Sequence, residues 1–186
     1  STDTPISGLA ATSSSPTELG QVTSFNATVT AGDNISYAWN FGDGNSSTSQ
    51  SPNHTYAATG IYTATVTATN GQGGQLASTT VIVANKVIEV RNNTFSPTDV
   101  TVNPGALVVW KRIEGFHNVR ADDGSFTSGP VSDTWSTYAR TFSSPGEYPY
   151  YCEAHGNAGG IGMSGIIRVS GSSSSSKNLY LPNVRK

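Results

Sequence analysis

Cysteine, methionine and long apolar runs are all scarce in this chain of 186 residues. Its single cysteine excludes an intrachain disulfide, so no covalent cross-link holds the fold together. No apolar stretch approaches the roughly 20 residues of a membrane-spanning helix, and we predict no transmembrane segment. Residues 1–85 contain four acids and neither lysine nor arginine, and no basic stripe appears later. The sequence therefore lacks the electrostatic footprint of a nucleic-acid-binding protein.

Helical patterning is also missing. Charged residues make up only 12% of the chain, and Ala, Leu, Glu and Lys do not recur at helical spacing. Val and Thr instead recur in short alternating runs separated by Gly, Pro, Ser and Asn. Alternation with a period of two is typical of strands that bury one face. The sequence therefore predicts an all-β protein, with a length that allows two β-sandwiches in tandem.

Residues 1–84 carry the first predicted sandwich. Its main strands are predicted at 21–30, 35–44, 60–70 and 75–85. In the first of these strands, we expect Val22 and Val29 to face the core, together with Phe25 or Ala27. The second strand ends in a Gly-Asp-Gly turn, whose glycines supply the positive φ angles that a hairpin needs.

Three stretches of this half carry a family resemblance. "YAWNFGDG", "PNHTY" (52–56) and "TGIYTATVTATN" (59–70) closely resemble the PKD family of immunoglobulin-like surface modules. The resemblance implies a spacer or adhesion-type module outside the cell. It makes Trp39 a core residue and gives His54 a structural hydrogen bond rather than a metal. Asp43 is expected to order its turn, and nothing in the sequence supports an ion there.

Residues 85–170 carry a second set of strands. "KVIEVRNNTFSPTDVTVNPGALVVWKR" (86–112) contains three alternating runs, separated by Pro97 and an Asn-Pro-Gly turn. Two further strands are predicted within 134–152 and a last one within 163–171. No internal repeat relates the two halves, so this half is predicted to be a separate sandwich.

Residues 171–186 are predicted to form a flexible Ser-rich linker and a short tail. The tail, "KNLYLPNVRK" (177–186), combines a small apolar patch with three bases. Two interpretations stay open: docking on a partner or a neighbouring copy by adding a strand, or a processing or anchoring remnant. Self-association or surface attachment is expected through this tail or through residues 1–84.

The stretch "YPYYCEAHGNAGGIGMSG" (148–165) concentrates the residues that bind soft metals. It contains the only cysteine, Cys152, the only methionine, Met163, and one of three histidines, His155. A further histidine, His117, ends a strand-like stretch 35 residues before the cysteine. Two imidazoles and a thiolate with a weak thioether are the donor set of a blue-copper electron-transfer site. The pattern therefore predicts copper bound by His117, Cys152, His155 and Met163.

Other interpretations of the same residues must be weighed. A single cysteine near a strand end is often a buried small hydrophobe, and a single methionine often fills a core. Neighbouring Cys and His residues also occur as a catalytic nucleophile and its base. Zinc prefers more thiolates, a carboxylate or a water over a methionine. The joint occurrence of four suitable donors favours copper over each of these.

This half also resembles a known family. "NTFSPTDVTVNPGALVVWKR", "FHNV", "PGEYPYYCEAH" and "GMSGIIRV" match the plastocyanin-like cupredoxins in order along residues 86–170. The resemblance implies a Greek-key sandwich that binds one copper ion per chain through the same four residues. It also implies that Asn118 ties the ligand loops together near the sulfur. The spacing from His155 to Met163 is longer than in plant plastocyanins, and closer to that of bacterial and archaeal relatives.

The expected function is one-electron transfer outside the cytoplasm by a protein that is not an enzyme. The chain begins at Ser1 without an apolar leader, which favours an export signal already removed. Redox protein partners are expected to dock near His155, since residues 156–162 lack bulk and charge. The alternative is a surface structural or adhesion protein whose second domain has a structural or copper-binding role.

Overall fold

The computed structural model describes residues 2–171, and within that range it contains sixteen strands and no helix. The strands of the first half are β1 (Ala10–Ser13), β2 (Thr17–Glu18), β3 (Thr23–Thr28), β4 (Ser36–Asn40), β5 (Ser46–Ser47), β6 (Asn53–His54), β7 (Gly60–Asn70) and β8 (Gly73–Ala84). Those of the second half are β9 (Lys86–Arg91), β10 (Thr94–Ser96), β11 (Asp99–Val102), β12 (Ala106–Arg112), β13 (Arg120–Ala121), β14 (Thr137–Phe142), β15 (Gly146–Asn157) and β16 (Ile161–Val169).

The first half is a sandwich of two sheets, with strand orders β1-β3-β6 and β2-β8-β7-β4-β5. β7 and β8 form its longest hairpin, and β7 matches the predicted alternating run residue for residue. An aromatic cluster fills the space between the sheets. Trp39, Phe41 and Tyr56 are each at most 2% exposed, which confirms Trp39 as a core residue.

The prediction for Val22 was wrong, because this side chain is 54% exposed. β3 begins at Thr23, and its buried positions are Thr23, Phe25 and Ala27. Side chains on a strand alternate between faces, so Val22 and Phe25 lie on opposite faces. Thr23 pairs its hydroxyl with that of Thr17 at 2.7 Å, which explains how a polar side chain occupies the core position.

The second half is a sandwich of two four-stranded sheets, with orders β10-β9-β12-β14 and β11-β16-β15-β13. β9 pairs in parallel with β12, and β11 pairs in parallel with β16, so the chain crosses between the sheets as in a Greek key. The all-β tandem predicted from the sequence is confirmed. One buried aromatic and aliphatic core, centred on Trp110 and Tyr150, joins the sheets.

The two halves are joined by one residue, Asn85, between β8 and β9. Glu18 in the first half accepts hydrogen bonds from Lys86 Nζ and from the backbone N–H of Val87, both at 3.1 Å. Asn85 in turn exchanges two hydrogen bonds with Leu107. These bonds connect the first half directly to the β9–β12 pair.

Within residues 2–171, the chain has no helix of the length and apolarity that a bilayer crossing requires. The predicted linker and tail at 171–186 lie outside the described residues, apart from Gly171.

Candidate metal centre

The β15–β16 hairpin places Cys152, His155 and Met163 in one short stretch of sheet. The two strands stay in register up to the pair Tyr151–Ser164 and regain register at Gly156–Gly162. Residues 152–155 therefore bulge out of β15 opposite the single residue Met163. A bulge of this kind redirects side chains next to a functional site. The sequence placed Cys152 at a strand end, whereas the strand continues through it to Asn157.

His117 reaches the same place from the other sheet, in the loop that follows β12. It forms an isolated bridge with Ser132, with both backbone hydrogen bonds at 3.1 Å. The indole N–H of Trp135 donates to the His117 carbonyl at 2.7 Å. Three hydrogen bonds thus hold the backbone of His117 before any metal binds.

The donor atoms of three predicted ligands converge. Cys152 Sγ lies 3.7 Å from Nδ1 of His117 and 3.6 Å from Nδ1 of His155. The ligand atoms of the three residues all lie within 4.8 Å of one another. Both imidazoles point the same nitrogen at the sulfur, so a single ion between them would meet all three donors.

The orientation of the His117 ring follows from its surroundings. Its Nε2 atom is buried and has no hydrogen-bond partner among the described residues. Gly115, at φ +81°, lies over this atom, and a Cβ there would collide with the ring. Burial lowers the pKa of His117, helped by His155 and Arg112 nearby. This shift favours the neutral ring, which is the form that binds a metal.

Met163 is 2% exposed and belongs to the same buried cluster as Cys152. Its backbone lies opposite the bulge that carries Cys152 and His155. The structure thus brings all four predicted site residues to one end of the second sandwich.

Asn118 connects the two ligand segments, as the family resemblance implies. This fully buried side chain accepts a hydrogen bond from Glu153 N at 2.9 Å. It donates to the carbonyl of Gly129 at 3.0 Å and to the Glu153 carboxylate at 2.6 Å. Asn118 follows His117 and Glu153 follows Cys152, so these bonds fix the distance between two donors.

The remaining histidine lies in the first sandwich and takes no part in this site. His54 Nε2 lies 2.7 Å from the Asp43 carboxylate, and the imidazole stacks on Phe41 with ring centres 4.3 Å apart. Asp43 also accepts two hydrogen bonds from Asn45. The structural hydrogen bond expected of His54 and the turn-ordering role of Asp43 are both present.

Sequence reasoning missed three residues that hold the site together: Glu153, Asp122 and Trp135. Asp122 accepts a hydrogen bond from Gly159 N at 2.7 Å and ties down the tip of the β15–β16 hairpin. Their partners lie 18 to 37 positions away in the chain, so no local pattern reveals them. Only the fact that Glu153 follows the single cysteine could have pointed to it.

Large apolar side chains are exposed on the segments next to His155. His155 itself is exposed, and so are Phe116 at 55% and Ile161 at 61%. Arg112, the last residue of β12, donates to the carbonyls of Trp135 and Gly115.

The donor set fits copper better than the alternatives. Two imidazoles and a thiol converge, and a thioether lies in the same buried cluster. No carboxylate belongs to the convergent group among the described residues, which disfavours a hard cation. The cysteine is fully buried, so a catalytic role would require substrate to reach a closed core.

Comparison with protein families gives two matches. The PKD domain model matches residues 8–83, and the model described as copper binding proteins of the plastocyanin/azurin family matches residues 83–170.

Individual relatives agree with the second match. A plastocyanin from Scenedesmus fuscus is 34% identical over 86 residues, covering 40% of this chain and 85% of that protein. Plastocyanin A/B from Petroselinum crispum is 33% identical over 86 residues, and the match covers 40% of this chain and 86% of that plastocyanin. The chloroplastic plastocyanin of Oryza sativa subsp. indica is 33% identical over 101 residues, which is 48% of this chain. The chain spans 63% of the rice protein, less than two thirds of its length.

Solved structures give weaker likenesses. A purple cupredoxin from Nitrosopumilus maritimus is 23% identical with a TM-score of 0.39, and the match covers 46% of this chain and 99% of the cupredoxin chain. A reduced amicyanin variant is 25% identical with a TM-score of 0.37, and the match covers 45% of this chain and 80% of the amicyanin chain. TM-scores below 0.5 are too low to add to the assignment.

Proposed function

Because this chain belongs to the plastocyanin/azurin family of copper-binding proteins, we propose that it carries single electrons through one copper centre outside the cytoplasm. The proposed ligands are His117, Cys152, His155 and Met163. Bound copper supplies the Cu(II)/Cu(I) couple. The protein supplies the donors, their spacing and an apolar surface.

The convergence of His117, Cys152 and His155 is the observation that carries the proposal. Hydrogen bonds within the protein hold the segments that carry His117 and Cys152, so little rearrangement of these two donors is needed on binding. A site that keeps its shape in both oxidation states exchanges electrons readily. Four protein donors also leave no open position for a substrate, which argues against an enzyme.

Titration of the metal-free protein with Cu(II) tests the site. We expect one equivalent to produce an intense blue band from thiolate-to-copper charge transfer, and reversible one-electron voltammetry. The alternative, a structural or adhesion protein, predicts slow electron self-exchange together with binding to surfaces or polymers. A titration that ends without any blue band would remove the electron-transfer proposal.

We further propose that redox partners approach the copper along the exposed edge of His155. Phe116 and Ile161 would then be the apolar contacts on either side, since both side chains are exposed. Apolar, closely approaching surfaces suit brief encounters between redox proteins. Self-association through residues 1–84 or 177–186 stays a prediction.

The first module is proposed to hold the copper domain rigidly, as a spacer. Val109 on β12 is 0% exposed, yet it lies between two residues whose side chains face the core, Val108 and Trp110. Its own side chain therefore faces the outside of the sheet. β8 of the first module packs against β12, and Ile82 lines a cleft of about 310 Å³ shared with Thr137. We infer that the first module covers Val109.

Replacing Val109 with aspartate is expected to separate the modules. A carboxylate buried without a partner is strongly unfavourable, on the order of several kcal/mol, so the interface should open rather than enclose it. Calorimetry should then resolve two melting transitions, and small-angle scattering should show a longer particle. The blue band should stay, because the copper site does not touch this face.

Ala139→Asp is the matched control. Ala139 pairs with Val109 across the β12–β14 ladder on the same face but is exposed, so its variant should melt like the native protein. Glu18→Gln probes the same interface from the first module, since it removes the charge that Lys86 contacts. If Val109→Asp and Ala139→Asp give the same melting curves and the same scattering, the modules are not held together by this face.

A further inference from the structure

Glu153 makes more contacts with the site than its exposed position suggests. Its backbone N–H donates to Oδ1 of Asn118 at 2.9 Å, and its carboxylate oxygen Oε2 accepts from Nδ2 of the same residue at 2.6 Å. The other carboxylate oxygen lies 3.3 Å from Nη1 of Arg120. Glu153, the residue after Cys152, is thus connected to Asn118, the residue after His117, and to Arg120 on strand β13.

The carboxylate is one of three partners that determine which way the Asn118 amide faces. Both ends of this side chain are used: Oδ1 accepts from Glu153 N, while Nδ2 donates to Gly129 and to the carboxylate. In the flipped orientation, Oδ1 would face the carboxylate and two acceptors would oppose each other. A hydrogen bond to a charged acceptor is stronger than one to a neutral acceptor, so the charge of Glu153 strengthens the orientation that the two backbone partners also favour.

The same charge lies close to the predicted copper. Glu153 directly follows Cys152, and its carboxylate contacts the neighbour of His117. Its side chain is 37% exposed, so solvent screens its charge only in part. A nearby negative charge stabilises Cu(II) more than Cu(I) because Cu(II) carries the larger positive charge. Arg120, whose side chain is 44% exposed, opposes this effect.

We propose that Glu153 is a positioning residue that aligns Asn118 and lowers the reduction potential of the copper centre. This inference rests on the proposed function of the site. Arg120 tunes the effect in the opposite direction by neutralising part of the carboxylate charge.

Charge-neutral variants at the two positions test the proposal by voltammetry of the copper-loaded protein at pH 7. Glu153→Gln keeps an acceptor for Asn118 but removes the charge, so the Cu(II)-to-Cu(I) affinity ratio should fall about tenfold. A tenfold change equals a potential rise of about 59 mV for one electron. Arg120→Gln leaves the carboxylate unpaired and should lower the potential.

Two further variants separate positioning from charge. Glu153→Ala removes the acceptor as well, and it should reduce Cu(II) affinity by about 10- to 100-fold. In the metal-free protein, amide exchange at residue 153 should also become faster. Glu147→Gln is the charge control: Glu147 lies on the same strand, at its far end, and pairs with Arg168. The reduction potential of the Glu147→Gln variant should match that of the native protein.

Each outcome bears on one claim. A blue band with equal potentials in Glu153→Gln and the native protein overturns the tuning role and leaves the electron-carrier proposal intact. Shifts of the same sign in Glu153→Gln and Arg120→Gln would indicate general structural damage and also overturn it. Absence of the blue band in the native protein would instead remove the proposed function on which the inference rests.

Discussion

Replacing Cys152 with serine is expected to abolish the blue band completely while the protein stays folded. The band arises from charge transfer between a thiolate and copper, and a hydroxyl at the same position neither ionises at neutral pH nor forms a soft bond. Copper affinity should fall by more than the 10- to 100-fold typical of losing an outer partner of a ligand. The cost to folding should be only about 1–3 kcal/mol, because the buried hydroxyl lies beside two imidazole nitrogens.

Met163→Leu is the matched control for this experiment. The exchange conserves volume in the same buried cluster and should cost less than about 1.5 kcal/mol. Because a thioether bonds weakly to copper, this variant should keep the blue band with a changed potential. Circular dichroism of both variants should match the native spectrum. A persistent intense band in Cys152→Ser would show that the sulfur is not a ligand.

Gly162→Ala is expected to distort the ligand hairpin at His155. Gly162 has φ +67°, and a Cβ there would overlap the carbonyl oxygen of His155 and lie 3.0 Å from Gly156 Cα. The left-handed conformation alone costs an L-residue about 1–2 kcal/mol, and the collision with backbone adds to it. His155 must move to relieve the overlap, so Cu(II) affinity should fall on the order of 10- to 100-fold.

Gly160→Ala provides the control in the same hairpin. Gly160 has a similar φ of +78°, but a Cβ there would have no heavy atom within 4 Å. This variant should show only the conformational cost of about 1–2 kcal/mol in thermal unfolding and should bind copper normally. Chelator competition and melting curves on both proteins separate the two effects. Equal Cu(II) affinities of Gly162→Ala and Gly160→Ala would mean that the contact at Gly162 does not position His155.

Much of the fold and the site follows from local patterns in the sequence. Alternating runs such as residues 60–70 predict strands because one face must be buried, and β7 has those bounds. The four metal donors were identifiable because few other residues of their kinds exist in the chain. The error at Val22 shows the limit of this reasoning, since one residue at a strand's start changes which face is buried.

Residue types and their order along the chain determined the all-β class, the two family resemblances and the identity of the candidate ligands. Only the tertiary structure decided how the donors meet, because the bulge at residues 152–155 depends on the register between β15 and β16. Glu153, Asp122 and the covered Val109 likewise became visible only in three dimensions. The physical reason is the same for all three. Their partners lie far along the chain. Burial and hydrogen bonding depend on which residues are close in space, and the fold alone brings these residues together.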